Sequence, residues 1–372
     1  MKIAIVVNSA WAAYNFRLNL ATSIENAGNE VVFIIPFDYK YSKKLQSKFD
    51  CNDFYLNPMS LRPFEEIKTL ISLFNVLKKI KPDAVCNFTI KPNIYGSIAA
   101  KILGIPNINN ITGLGTAFIN NNFYTSIIKI LYRVTSSSSS LVFFQNEKDQ
   151  AFFLDNKMIV ESKCQLLPGS GVDLQKFKPS RNLIKKDKFI FLLISRLIKD
   201  KGVYEFIDAI RIIKNDYPKV ALEFQILGEV EVENRTSIKQ FELEGWIEEN
   251  LVEYLGVSDS VEDKIAQCDC VVLPSYREGM PRSILEAFAM ERSVVVSDAP
   301  GCIDIVDHQV NGLICKVKSS NDLANKMVNM FSMPNAMRKQ MALNGRKKVE
   351  RLFDEKIVIN RYIDSINSIT ND

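Results

Sequence analysis

Histidine is almost missing from this 372-residue chain. The single one, His308, stands just ahead of Asn311-Gly312 and reads as a surface turn residue, so a Ser-His-Asp triad would have to depend on it alone. No two aspartates are separated by one residue, which removes the Asp-x-Asp pattern that holds a divalent metal against a diphosphate. The cysteines number seven, an odd count with no Cys-x-x-Cys pair, so neither a zinc site nor a disulfide framework is expected and a reducing cytoplasm is. The first loop has no Gly-x-Gly-x-x-Gly, which excludes a dinucleotide fingerprint there. The opening apolar run, Ile3 to Val7, stops at Asn8, too short for a signal-peptide core, and no stretch approaches the apolar length of a membrane span.

What is present fits a globular protein of two domains. Apolar residues make up 47% and charged residues 24%, and the length allows each domain its own core. The net charge of +4 is uneven: residues 1–180 carry 20 Lys and Arg against 13 Asp and Glu, while the remainder carries 27 against 30. A basic first half suits an anionic lipid surface or a diphosphate, and nucleic acid is not expected as a partner.

Along the chain, short buried runs alternate with helical periods. Ile3–Val7, a helix over Asn15–Asn26 and Val31–Pro36 form a β-α-β unit, which implies a parallel sheet. Arg17 would lie in the first turn of that helix, where a base opposes the dipole and an anion could be held. A helix over Leu61–Lys81, a strand Ala84–Phe88, a helix Tyr95–Leu103 and a strand Asn107–Thr112 follow. Phe123–Val134 mixes aromatic and aliphatic residues with Lys129 and Arg133, a composition suited to a membrane interface, and the serine run 136–140 leads into a strand. Gly and Pro gather at 167–179, where the domain boundary is placed. The second half restarts on the strand Phe189–Ile194 and repeats the alternation. The fold class is therefore α/β, two doubly wound Rossmann-like domains over 1–175 and 180–353, with ligands expected at the C-terminal strand ends and in a cleft between them. The last helix, 354–372, is expected to pack back on the first domain.

The stretch Cys270 to Met290 concentrates the chemistry. A buried run closes at Pro274, a polar loop spans Ser275 to Arg282, and a helix begins with Ile284, Leu285 and Phe288 at helical spacing. Glu278 and Glu286 lie eight residues apart across it, and amides at the head of such a helix suit a phosphate or a sugar hydroxyl. Ser283 and Glu286 also fit a capping box, which would make Glu286 structural. Arg196 and Lys201, in the loop after the first strand of the second half, can neutralise a diphosphate.

Glu278 and Glu286 form the E-x7-E pattern of retaining glycosyltransferases, and the chain resembles glycosyltransferase family four, with the GT-B fold. Pro168-Gly169-Ser170-Gly171-Val172-Asp173, Ser195-Arg196 with Lys201-Gly202, Pro274-Ser275, Asn311-Gly312 and Phe353-Asp354-Glu355 match as well. In the first half, residues 89–96 and 109–116 are similar to a narrower branch of bacterial enzymes that extend lipid-diphosphate-linked glycans, often with N-acetylgalactosamine from UDP.

The resemblance implies that Arg196 and Lys201 bind the donor diphosphate, and that Glu286 takes the ribose hydroxyls. Glu278 and the backbone of Gly279, Met280 and Pro281 would hold the donor sugar, with Gly228 and Ser283 completing the donor site. Arg17, Asn15, Lys91 and Thr112 are the candidates on the acceptor side. Two departures stand out: Thr112 replaces a histidine common among relatives, and Ser9-Ala10-Trp11 replaces a Gly-Gly loop. The implied enzyme retains anomeric configuration, uses a UDP-sugar without a metal, and extends a polyprenyl-diphosphate-linked saccharide while docked on the anionic inner face of the cell membrane. The competing reading is a UDP-sugar 2-epimerase on the same architecture.

Overall fold

The computed structural model describes residues 1–58, 60, 62–113, 123–179, 187–230 and 236–371. It divides into two compact units, Met1–Ser170 joined by the chain from Lys356 onward, and Gly171–Glu355. Part of the 109–116 match, residues 114–116, and the side chain of Phe123 lie outside the described residues.

The first unit is built on seven parallel strands: β1 (Lys2–Val6), β2 (Glu30–Ile35), β3 (Asp50–Asp53), β4 (Ala84–Phe88), β5 (Asn107–Ile111), β6 (Leu141–Phe144) and β7 (Cys164–Leu166). They are ordered β3-β2-β1-β4-β5-β6-β7, so the direction of winding reverses between β1 and β4. Both faces of the sheet are covered, because alternate residues of one strand enter different cores. Ile3 and Ile5 pack in one, Ala4 and Val6 in the other.

The second unit repeats the plan with β8 (Phe189–Ile194), β9 (Leu222–Leu227), β10 (Glu253–Tyr254), β11 (Cys270–Leu273), β12 (Ser293–Ser297) and β13 (Leu313–Cys315). The order β10-β9-β8-β11-β12-β13 puts its reversal between β8 and β11. Along β8, Phe191 and Leu193 face one core, and Ile190 and Leu192 the other.

Three local expectations are corrected. The first helix begins at Ala10, five residues early, because Ser9 caps it by accepting from the Ala12 amide at 3.2 Å. Arg17 therefore lies well inside the helix. The helix from Phe123 runs on to Ser138, through most of the serine run. Hydroxyls sustain it by donating to carbonyls one turn back, Thr135 to Leu131 and Ser138 to Thr135, each at 2.9 Å. Ser139 then joins a buried polar network, accepting from the Asn109 amide at 2.8 Å. Asn109 also accepts from Asn87 at 2.9 Å, linking β4 to β5 through side chains. Finally, the segment before Ser97 is a wide π-helical turn, Pro92–Gly96.

The helix Glu355–Asn371 contributes Val358, Ile359, Tyr362 and Ile366 to the core of the first unit. Tyr362 is fully buried, and its hydroxyl accepts from the Asn110 side chain on β5 at 2.6 Å. Tyr362→Phe leaves that amide short of an acceptor in a dry site, a loss of about 1–3 kcal/mol. We expect denaturant unfolding to show a loss of that size for the transition of the first unit.

Candidate active site

In an open parallel sheet, ligands gather beyond the C-terminal strand ends where the winding reverses. In the second unit that point carries the loops after β8 and β11. Backbone contacts bind the two together and to the loop after β12. The Tyr276 amide donates to the Asp200 carbonyl at 2.9 Å, and the Glu278 amide to the Pro300 carbonyl at 3.0 Å. The approach is close enough to demand glycine. A Cβ at Gly202 would lie 2.1 Å from the Pro274 carbonyl oxygen, and one at Gly228 only 1.7 Å from that of Ser195. Gly228 thus shapes the site through its backbone.

This framework brings Lys201 and Glu278 together, 77 residues apart in sequence. The Lys201 ammonium donates to Glu278 Oε1 at 2.5 Å, and the Ser275 hydroxyl donates to the same oxygen at 2.6 Å. The side chains are only 18% and 11% exposed, so the pair is largely withdrawn from water. Ser275 is itself held, its carbonyl accepting from the Ser297 hydroxyl. Arg196, by contrast, is exposed and forms no ion pair among the described residues. One cation is fixed and one can reach toward an incoming anion.

The helix after this loop runs Arg282–Ala289, with Pro281 at its cap position and no side chain capping it. That corrects the capping-box expectation. Ser283 already lies inside the helix, so its hydroxyl does not cap it. Glu286 instead pairs with Arg282 one turn back, at 3.2 Å. Burial pushes the Glu286 carboxyl above its usual range, and Arg282 opposes that rise. A buried carboxylate with one cationic partner suits the ribose hydroxyls expected of it. Gly279 and Pro281 are buried and Met280 half-buried.

Two residues that the sequence did not single out belong to this site. Arg282 sits at the i–4 position to Glu286, a spacing that could have flagged it. Tyr276 donates to Glu205 at 2.7 Å and lies beneath the Lys318 ammonium, 4.8 Å from its ring. Burial first, and then the Glu205 carboxylate, push its phenol well above the ordinary range. His308 is exposed, and its Nδ1 accepts from the Ile314 amide at 2.9 Å, a turn role.

The acceptor-side candidates in the first unit fare differently. Lys91 is not available to a ligand: its ammonium donates to the carbonyls of Asn57 and Ser60 and to Glu66, at 2.7, 2.8 and 2.7 Å, which uses all three protons. Arg17 is buried, contrary to a surface role. Its guanidinium lies 4.0 Å over the Phe88 ring and donates to the Ser170 hydroxyl at 3.1 Å. Asn15 is half-buried, donating to the Trp11 carbonyl at 2.9 Å. Thr112 is half-buried directly after β5. Thr89, directly after β4, has φ of 75°, a left-handed conformation that β-branched side chains rarely adopt.

Comparison with known proteins agrees with this architecture. Residues 175–348 match the family described as Glycosyl transferases group 1, and residues 2–146 match Glycosyl transferase 4-like. An N,N'-diacetylbacillosaminyl-diphospho-undecaprenol alpha-1,3-N-acetylgalactosaminyltransferase of Campylobacter jejuni is 28% identical over 98% of this chain and 97% of its own length. A UDP-Gal:alpha-D-GlcNAc-diphosphoundecaprenol alpha-1,3-galactosyltransferase of Escherichia coli is 28% identical over 71% of this chain and 70% of its own. Among solved structures, Anabaena HepE in complex with UDP and glucose superposes with a TM-score of 0.80 at 19% identity, covering 99% of this chain and 100% of the other. Both named relatives are transferases, so the epimerase reading is not favoured. With a 4-like first unit and a group 1 second unit on the GT-B fold, the chain belongs to the glycosyltransferases.

Proposed function

We propose that this glycosyltransferase moves an N-acetylhexosamine or hexose, first of all N-acetylgalactosamine, from a UDP-sugar to a polyprenyl-diphosphate-linked saccharide, with retention and without a metal. The observation that carries the reading is the Lys201–Glu278 pair at the strand-end crossing of the second unit. The named acceptors of the relatives, both lipid diphosphates, support the acceptor class.

In the proposed reaction, the bond from the anomeric carbon to the β-phosphate oxygen breaks. A bond to the acceptor hydroxyl forms on the same face, and the acceptor proton passes to the leaving phosphate. Lys201 and Arg196 stabilise the charge that grows on the diphosphate, in a site where fixed charges need no reorganisation. Glu278 orients the sugar while remaining tied to Ser275. Glu286 accepts from the ribose hydroxyls.

The enzyme acts at the cytoplasmic face of the membrane, held at its surface. No helix among the described residues is long and apolar enough to cross a bilayer. The segment first expected to dock there is partly committed to the fold. Leu131 packs in a core, the Lys129 ammonium lies 5.0 Å over the Phe152 ring, and Arg133 donates to the Asn156 carbonyl at 2.9 Å. Among its described side chains, Ile127, Ile130 and Val134 are exposed apolar ones.

A donor panel assayed against a lipid-diphosphate monosaccharide, with product mass and anomeric NMR, tests the reaction; an inverted product or turnover without acceptor would overturn it. Activity is expected to persist in excess chelator, and full loss restored by magnesium or manganese would refute the metal-free reading. Glu278→Gln keeps the hydrogen bond from Ser275 yet should lower kcat by about 100-fold, the scale of a misplaced reacting group, and should also lower Tm, because Lys201 is left without its carboxylate. For Glu286 the raised carboxyl sets the sign of a pH effect. Ribose binding needs the ionised form, so the donor KM should climb as pH falls through a pKa above the usual carboxylate value. Glu286→Gln should raise the donor KM at neutral pH and flatten that acid limb; an unchanged profile would return Glu286 to a purely structural role.

A further inference from the structure

Three of the most exposed aromatic side chains of the first unit stand along one edge of its sheet. Trp11 is 42% exposed, Phe37 43% and Tyr39 86%. Trp11 is in the first turn after β1, and Phe37 and Tyr39 follow β2 directly, so all three belong to the C-terminal edge beside the β1–β4 reversal. Lysines are interleaved with them. The Lys43 ammonium lies 4.3 Å over the Tyr39 ring, Lys40 is 5.0 Å over Tyr41, and Lys44 is 5.1 Å over Tyr14.

This segment is firmly built, which makes its exposed rings a feature of the folded state. The Phe37 amide donates to Asp53 at 2.9 Å, and the Asp38 amide to the buried Ser42 hydroxyl at 2.7 Å. Asp38 is the one acid among residues 37–48 against four lysines. Its carboxylate is spent on the backbone, accepting from the amides of Tyr41 at 2.6 Å and Ser42 at 2.9 Å. With four lysines against this one acid, the segment is net basic.

We propose that Trp11, Phe37 and Tyr39, with Lys40, Lys43 and Lys44, form the face that docks this enzyme on an anionic bilayer. Indole and phenol rings favour the headgroup level, where one end of the ring is dry and the other wet. Lysines bury their stems there and keep their charge among anionic headgroups. The placement also fits the substrate. A lipid-linked acceptor has its chain in the membrane, and this face lies on the sheet edge where a parallel α/β unit takes its ligand. The inference rests on the lipid-diphosphate acceptor proposed above.

The protein itself supplies the probe. It has two tryptophans, and Trp246 is buried, so a change in emission on contact with lipid reports Trp11. Phosphatidylglycerol-containing vesicles should shift the emission to the blue, and brominated chains in those vesicles should quench it. Phosphatidylcholine alone should do neither, and salt should weaken the effect over the range of the Debye length. Lys40→Glu with Lys43→Glu should weaken vesicle binding by 10-fold or more, and Tyr39→Ser, at a position too exposed to disturb folding, should weaken it measurably. Both variants should lose activity on the lipid-linked acceptor and keep it on a soluble short-chain analogue. Vesicle binding without Trp11 quenching, or variants that float as well as the parent while Ile127→Ser with Ile130→Ser does not, would overturn this face. Failure of the proposed reaction would appear separately, as no transfer to the soluble analogue.

Discussion

One ion pair organises the second unit. Lys201 and Glu278 come from loops that follow different strands, and they meet because β8 and β11 are neighbours at the reversal of the sheet. Both charges are mostly withdrawn from water, so each needs the other; removing one leaves an uncompensated charge that costs far more than the pair is worth in isolation. Ser275 fixes the carboxylate, Ser297 fixes Ser275, and two glycines allow the loops to approach within contact distance. The pair also sets the electrostatics of the site. Lys201 is neutralised by its own protein, whereas Arg196 is held by no carboxylate among the described residues.

Much of this was legible in sequence. The run Val271-Val272-Leu273 closed by Pro274 gave a buried strand, and the polar loop before Ile284 gave a strand-loop-helix unit, because period and punctuation are local signals. Glu278 and Glu286 stood out by their spacing. Their pairings did not, for different reasons. Arg282 is one turn from Glu286, within reach of a helical-spacing argument that the competing capping box obscured. Lys201 is 77 residues from Glu278, and only strand order brings them together. In the first unit, Lys91 was a candidate on the acceptor side, and nothing local shows that two carbonyls and Glu66 take up its three protons. The serine run misled because serine is a poor helix former in isolation. Its hydroxyls bond backward along the helix and inward to Asn109, a tertiary contact that outweighs propensity.

The two units use polarity differently. The second keeps its two central strands, β8 and β11, apolar and places Lys201 and Glu278 in the loops beyond their ends. The first carries asparagines within β4 and β5, where Asn87, Asn109 and Ser139 are linked in a buried hydrogen-bond network. Such a network is sensitive to register, since shifting either strand by one residue would strand several amides without partners. It therefore specifies the pairing of β4 with β5, the strands whose ends carry Thr89 and Thr112.

The last helix has a consequence for biosynthesis. Tyr362 fills the centre of the first unit, yet it lies beyond the whole of the second in chain order. As the polypeptide emerges from the ribosome, the second unit can complete its core while the first still lacks four of its packing residues and the phenol that Asn110 needs. The N-terminal unit is thus the last to be finished, and until then it presents an apolar trough to the cell. A nascent chain of this design calls for chaperone cover over its earliest-made half.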